Sequence, residues 1–319
     1  MPNVLPSSLL SIGRSASRLR HRAIKQLAQK NYYAARAFYH YGLRHKDRQF
    51  RNPPLLVYQM GKVGSSSVTE SLKTANIDRP IYHIHFLRPD LIDEYEQKRR
   101  DYLATEKEGD LKHIWQYQHL YKQLHHNLNA KKWKIVTLVR DPIARNLSDF
   151  FEHIEVVSSE SGQHWQLKSI EFDFEITIFN NNLERLTEIF FEKYRHDFTI
   201  TYFDREFKEV LNIDLFANDF PRSEGFKIYR EKEADVLLLK LEHLNHCFTQ
   251  AFKAFLDIDD LMPAKANISD KKEFGNIYQL FKNSICFPES YLDTMYQSKF
   301  ARHFYSDAEI DLFRTKWSR

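Results

Sequence analysis

The chain has 319 residues, 42% of them apolar, with 47 Lys and Arg against 43 Asp and Glu for a formal charge of +4. That balance describes a folded protein with one sizeable domain, not a disordered chain, and the positive surplus is too small to argue for nucleic acid as a partner. The two cysteines, Cys247 and Cys286, stand in no metal-ligand spacing and read as reduced thiols of a cytoplasmic protein, with a single disulfide as the other reading.

Residues 1–50 read as a basic helical extension. Their stretch SSLLSIGRSASRLRHRAIKQLAQK lacks the apolar centre of a secretory signal. Its mixture of basic and apolar residues suits either a helix packed on the domain or one in peripheral contact with a membrane. No apolar run is long enough to cross a bilayer, so the expected protein is cytoplasmic, at most membrane-peripheral.

After Pro53 and Pro54, LLVYQM (55–60) predicts the first strand, Gly61 and Gly64 a turn, and SSVTESLKTA a helix begun by serine caps. IYHIHF (81–86) predicts a second strand. Pro89 opens a charged helix reaching about residue 104, in which Glu96 and Arg100 are spaced to pair. A further helix is expected near 111–128, then the strand WKIVTLV (133–139), nearly continuously apolar as in a buried parallel sheet.

Asp141 and Pro142 form an N-cap and first turn for IARNLSDFFEHI. The polar segment 156–168, with SSESGQHW, predicts a loop able to act as a lid. Helical patterns run from 180 to 213, strands are expected at 226–230 and 234–240, and helices dominate from 241 onward. Strands alternating with helices predict an α/β three-layer sandwich with a central, mostly parallel sheet, residues 51–319 as a single domain, and a helical C-terminal region. Aromatic residues, at 14%, predict a core built from rings and are compatible with a sugar-stacking cleft.

Two segments carry the chemistry. In YQMGKVGSSSVTE (58–70), Gly61, Val63 and Gly64 give a tight turn of backbone amides. Ser65, Ser66 and Ser67 open the helix, and Lys62 adds a positive charge, as an anion cradle requires. The segment is not a Walker A motif, because Val63 follows the lysine. In VRDPIARNLSDF, Arg140 ends the third strand at its carboxyl edge, and Arg145 and Ser148 lie three apart on the following helix. An arginine fork and a hydroxyl suit a second phosphate. Asp141 reads as the helix cap that also orients Arg140.

These segments resemble the nucleotide-dependent sulfotransferases, most of all their carbohydrate and capsular-polysaccharide branches. The resemblance covers roughly residues 55–150 and implies a P-loop-like fold. QMGKVGSSS is similar to the family's 5'-phosphosulfate loop, which implies that Lys62 contacts the bridging and sulfuryl oxygens of 3'-phosphoadenosine-5'-phosphosulfate. VRDPIARNLSDF is similar to its 3'-phosphate motif, which implies that Arg140 and Ser148 hold that phosphate. The sequence departs from the commoner loop in Met60 and Gly61 before the lysine, Val63 after it, and serines in place of threonines. ANISDKKEFGN resembles a nucleotide-covering segment with Lys272 as a phosphate contact, and YSDAEIDLF (305–313) the acid-rich C-terminal helix.

In YHIHF, alternation puts His83 and His85 on one strand face, with Tyr82, Ile84 and Phe86 on the other. The resemblance implies a strand-end histidine as general base, His85 by position with His83 in support. It also implies a carbohydrate, polysaccharide or glycolipid hydroxyl as acceptor, and no metal. His83 and His85 could instead seed a zinc site with His153 or Glu152, but no third ligand is fixed by local spacing. His243 and His246 read as structural. Two other functions remain open to the sequence: a P-loop-like phosphotransferase dependent on magnesium, and a nonenzymatic glycan- or membrane-binding protein.

Overall fold

The computed structural model describes residues 24–318, apart from 25, 29, 76, 105–110, 127–131, 159–163, 170, 180, 181 and 265–274. In chain order, the elements used below are α1 (Tyr32–Asp47), β1 (Leu55–Tyr58), α2 (Ser65–Thr74), β2 (Ile81–Ile84), α3 (Pro89–Ala104), α4 (Lys112–His126), β3 (Trp133–Val139), α5 (Pro142–Glu152), β4 (Glu155–Ser158), β5 (His164–Ser169), β6 (Phe174–Phe179), β7 (Phe226–Arg230) and β8 (Ala234–Lys240). They fall into two compact units. One holds residues 1–53, 78–80 and 86–131; the other holds 54–77, 81–85 and 132–319.

The larger unit is built on a five-stranded sheet in the order β2-β1-β3-β8-β7, parallel except for β7. The expected α/β architecture with a mostly parallel sheet is what the chain adopts. Leu55, Leu56, Val57 and Tyr58 of β1, and Val236 to Leu239 of β8, are fully buried, which explains why these strands are apolar without alternation. The chain steps from β1 outward to β2 and then back to β3 on the other side of β1. The carboxyl ends of β1 and β3 therefore border a topological switch point, the crevice where open α/β sheets take ligands. The helix after β3 packs a cluster of rings, with Phe150 and Phe151 against Phe190, Tyr278 and Phe281 at centroid separations of 5.1–6.4 Å. The aromatic surplus is thus spent largely in the core.

Segment 156–168 differs from the loop expected of it. β4, β5 and β6 form a second, antiparallel sheet, pairing Val157 with Gln166 and Leu167 with Ile176. Leu167 and Ser169 face inward while Gln166 and Lys168 lie on the other face, so a mostly polar sequence makes a strand because only alternate positions are buried. β6, FEITIF, shows the same alternation.

In the smaller unit, Ala35 of α1 packs with Leu111 and Trp115, and Tyr32 and Tyr39 meet the Trp115 ring at 5.7 Å. Glu96 does not engage Arg100. It accepts hydrogen bonds from Tyr32 and Gln118 and pairs with Arg36, while the Arg100 guanidinium lies over the Tyr32 ring. Burial of the α3–α4 seam favours the inward partners. Most of the N-terminal basic stretch lies outside the described residues. Among the described residues, no helix is long and apolar enough to cross a membrane.

Candidate active site

The link between β1 and α2 is a tight turn whose left-handed residues are Lys62 (φ 71°) and Gly64 (φ 86°). Gly61 does not adopt that conformation, so the first of the two expected glycine roles passes to the lysine itself. At Gly64 a side chain is excluded twice: by φ, and because a Cβ would stand 2.5 Å from Leu241 Cδ1. Gly64 is also the N-cap of α2 and carries no side-chain cap, where a serine was expected. Serines supply the first turn instead, with Ser65 buried and Ser66 and Ser67 half-buried.

Two arginines from the β3–α5 region hold this turn by its carbonyls. Arg140 Nη1 donates to the Lys62 carbonyl at 2.8 Å, and Arg145 Nε donates to the Gly61 carbonyl at 3.0 Å. Arg145 is only 2% exposed, held by the Tyr194 hydroxyl, by Asp149, and by the face of the Phe198 ring. Tying successive carbonyls to guanidinium groups leaves the amide side of the turn for an anion, the arrangement of a backbone nest at a helix start. Lys62 Nζ sits 2.9 Å from Glu152 Oε2. Such a partly exposed pair is worth at most about 1 kcal/mol, so a phosphate or sulfuryl oxygen can displace it.

Gln59, fully buried where β1 ends, connects the turn to the two histidines. Its side-chain nitrogen lies 2.8 Å from Ser65 Oγ and 3.0 Å from His83 Nε2. The His83 and His85 rings stand 4.8 Å apart, on one face as alternation requires. His85 Nδ1 is 3.1 Å from the Gln59 carbonyl oxygen, and the backbone carbonyl of His85 accepts from Tyr202. Protonated on Nδ1, the ring donates to the Gln59 carbonyl; in the other tautomer Nδ1 accepts from the Gln59 side-chain amide at 3.3 Å. Gln59 Oε1 is buried without a hydrogen-bond partner among the described residues.

The second expected site is brought to the same turn only in part. Arg140 touches Lys62, whereas Ser148 lies further along α5 and is only 6% exposed. Asp141 caps α5 by accepting from the Ile143 amide, and also accepts from Tyr296 and Trp317, so its carboxylate is taken up in fixing the helix start. Lys272 lies outside the described residues.

His153 rests against Phe172 and Glu152 pairs with Lys62, away from any shared ligand set with His83. Among the described residues, no three His, Cys, Asp or Glu side chains are grouped to hold a metal. Both cysteines are free, and burial pushes the Cys247 thiol up to about 11.

The turn after β8 adds groups that the sequence did not disclose. Leu241 packs on Gly64, Glu242 accepts the Asp141 amide at 2.7 Å, and His243 Nε2 lies 3.2 Å from Glu309 Oε1. Surrounding protein withdraws water from Glu242 and pushes its carboxyl above the usual range, although the side chain keeps an open face to solvent. Lys240, fully buried, donates to both Glu309 oxygens at 2.8 and 3.1 Å. Burial alone would raise the Glu309 carboxyl, but the hydrogen bonds from Lys240 and Ser306 hold it below the usual glutamate range. Beside this cluster opens a cavity of about 700 Å³ whose lining includes Phe220, Ser223, His243, His303, Ser306 and Glu309. Its size is that of a small-molecule site, and its walls mix hydrogen-bonding side chains with apolar surface.

Residues 173–306 match a family model, NKWYS, described as "Putative capsular polysaccharide synthesis protein". The match spans less than half of the chain. It begins after the cradle and takes in β7, β8 and most of the cavity wall. It relates the chain to capsular polysaccharide synthesis. No curated protein and no solved structure matches.

Proposed function

We propose that the chain is a sulfotransferase that moves the sulfuryl group of 3'-phosphoadenosine-5'-phosphosulfate to a hydroxyl of a carbohydrate, polysaccharide or glycolipid. The observation that carries the reading is the β1–α2 turn, with its carbonyls tied back by Arg140 and Arg145 and its amides left to an anion, one residue from the Gln59–His83–His85 cluster. The orphaned Gln59 Oε1 is in keeping with a ligand approaching close to the end of β1.

In this reading Lys62 and the amides of Val63, Gly64 and Ser65 hold the phosphosulfate, with the hydroxyls of Ser66 and Ser67 beside them. Arg140 and Ser148 serve the 3'-phosphate, and Lys272 is a further proposed contact. The acceptor hydroxyl gives its proton to His85 Nε2 while its oxygen bonds to sulfur. The bond from sulfur to the 5'-phosphate oxygen breaks, and adenosine 3',5'-bisphosphate leaves. Lys62 and the turn amides offset the charge gathering on that leaving oxygen. His83, tied to His85 through Gln59, keeps the base in register. The chemistry calls on no metal. The cavity beside His243 is the proposed seat of the acceptor, since its carboxylate, imidazole and hydroxyl groups match the paired donor and acceptor character of sugar hydroxyls.

Calorimetric titration with adenosine 3',5'-bisphosphate in the presence of EDTA tests the reading. Binding that survives chelation, together with transfer of labelled sulfate to polysaccharide, is expected. No binding of the bisphosphate, or much tighter binding of ATP with magnesium, overturns it.

A further inference from the structure

α1 has two apolar faces, and only one of them is covered. Ala35 and Leu43 point into the smaller unit, with Tyr32 and Tyr39 against Trp115. On the other side, Tyr33, Ala34, Ala37, Phe38 and Tyr41 follow one another at helical spacing and are exposed. The rings are open to an unusual degree: Tyr33 is 68% exposed, Phe38 62% and Tyr41 68%. An isolated exposed ring needs no explanation, but three on one helix face with two alanines between them form a patch.

The exposed charges carried by α1 and the residues flanking it in the chain have one sign. Lys30 lies just before its N-terminal end, and Arg44, His45 and Arg48 follow its C-terminal end, all exposed. The single acid of the helix, Asp47, turns inward to His119 Nε2 at 2.7 Å and Gln123 Nε2 at 2.9 Å. We propose that this face of α1 docks on an anionic lipid surface, with Tyr33, Phe38 and Tyr41 entering the headgroup layer and Lys30, Arg44 and Arg48 meeting lipid phosphates.

Two other occupants suit the face less well. Two copies meeting through α1 about a twofold axis would bring basic ends against basic ends, with no acid on this face of the helix to offset them. An acidic polysaccharide is held best in a groove, whereas this is the convex side of a helix, a shape that a bilayer interface accepts. Amphipathic rings beside arginines are also the usual residents of that interface.

Co-sedimentation of the full chain with vesicles tests the proposal, comparing phosphatidylcholine alone with an equal mixture of phosphatidylcholine and phosphatidylglycerol. The expected result is binding to the mixed vesicles that fades as salt is raised. Phe38→Ser with Tyr41→Ser should weaken that binding about tenfold. Arg44→Glu with Arg48→Glu should weaken it by at least as much at low salt. Because these side chains are exposed, melting temperature and circular dichroism should stay as in the parent, which separates lost docking from lost folding. No binding to mixed vesicles overturns the proposal, as does binding that both double variants retain. A concentration-dependent dimer in sedimentation velocity that the Phe38 and Tyr41 changes abolish would assign the face to a second copy and overturn it equally.

Discussion

Gly64 and Gly61 look interchangeable in QMGKVG, yet the structure predicts opposite fates for the two alanine variants. Gly64→Ala places a Cβ on a residue at φ 86°, and that Cβ would stand 2.5 Å from Leu241 Cδ1. The left-handed conformation costs a non-glycine residue about 1–2 kcal/mol. Moving Leu241 off its rotamer adds about 1 kcal/mol. The sum, about 2–3 kcal/mol, should lower the melting temperature by roughly 4–12 °C for a unit of this size.

Gly61→Ala meets Asp149 Oδ1 at 3.5 Å, an ordinary contact, and its φ is not in the left-handed region, so little change is expected. The assays are differential scanning fluorimetry and titration with adenosine 3',5'-bisphosphate. Pairing Gly64→Ala with Leu241→Ala should recover only the part due to the clash. Equal losses for Gly61→Ala and Gly64→Ala would refute the reasoning.

Glu309→Gln leaves Lys240 buried without its counter-charge and should cost about 3 kcal/mol near neutrality, read by urea denaturation. Because the folded carboxyl lies below the usual range, its contribution is in place above the ordinary glutamate value and is lost as pH falls through the lowered folded one. The gap between parent and variant should therefore close on acidification, and a gap that stays constant to low pH contradicts the pairing. His85→Ala should lower sulfate transfer roughly 10²–10⁴-fold with bisphosphate affinity nearly unchanged; a folded variant with full turnover removes His85 as the base. Asp141→Ala strips the α5 cap and leaves the Tyr296 hydroxyl and Trp317 indole unpaired, a loss of about 3 kcal/mol measurable by denaturation.

β1, β3 and β8 of the large sheet were legible because each is a short, mainly apolar run between turn residues. LLVY, WKIVTLV and ADVLLLK leave little choice of element when no polar face interrupts them. HWQLKS was misread for the converse reason, since Gln166 and Lys168 face solvent and the sequence weighs as loop. The cradle was recognisable from its glycine, lysine and serines, but which residue would turn left-handed was not, because φ at Lys62 is set by the tertiary ties from Arg140 and Arg145. Gln59 carried no signal of its own. Its importance comes from standing at the end of β1 opposite the histidines of β2, a register that only strand pairing discloses. Lys240, Glu242 and Glu309 were not singled out because their pairings join residues 69 to 101 positions apart, and His243 was read only as structural.

The short turn Leu241–His243 hands its three consecutive side chains to three different clients: Gly64 of the β1–α2 turn, the amide of Asp141 that begins α5, and the Glu309 carboxylate beside the cavity. Six backbone dihedrals govern all three contacts. A shift of this turn's backbone would move all three contacts together, so the β1–α2 turn and the cavity beside His243 share one mechanical support.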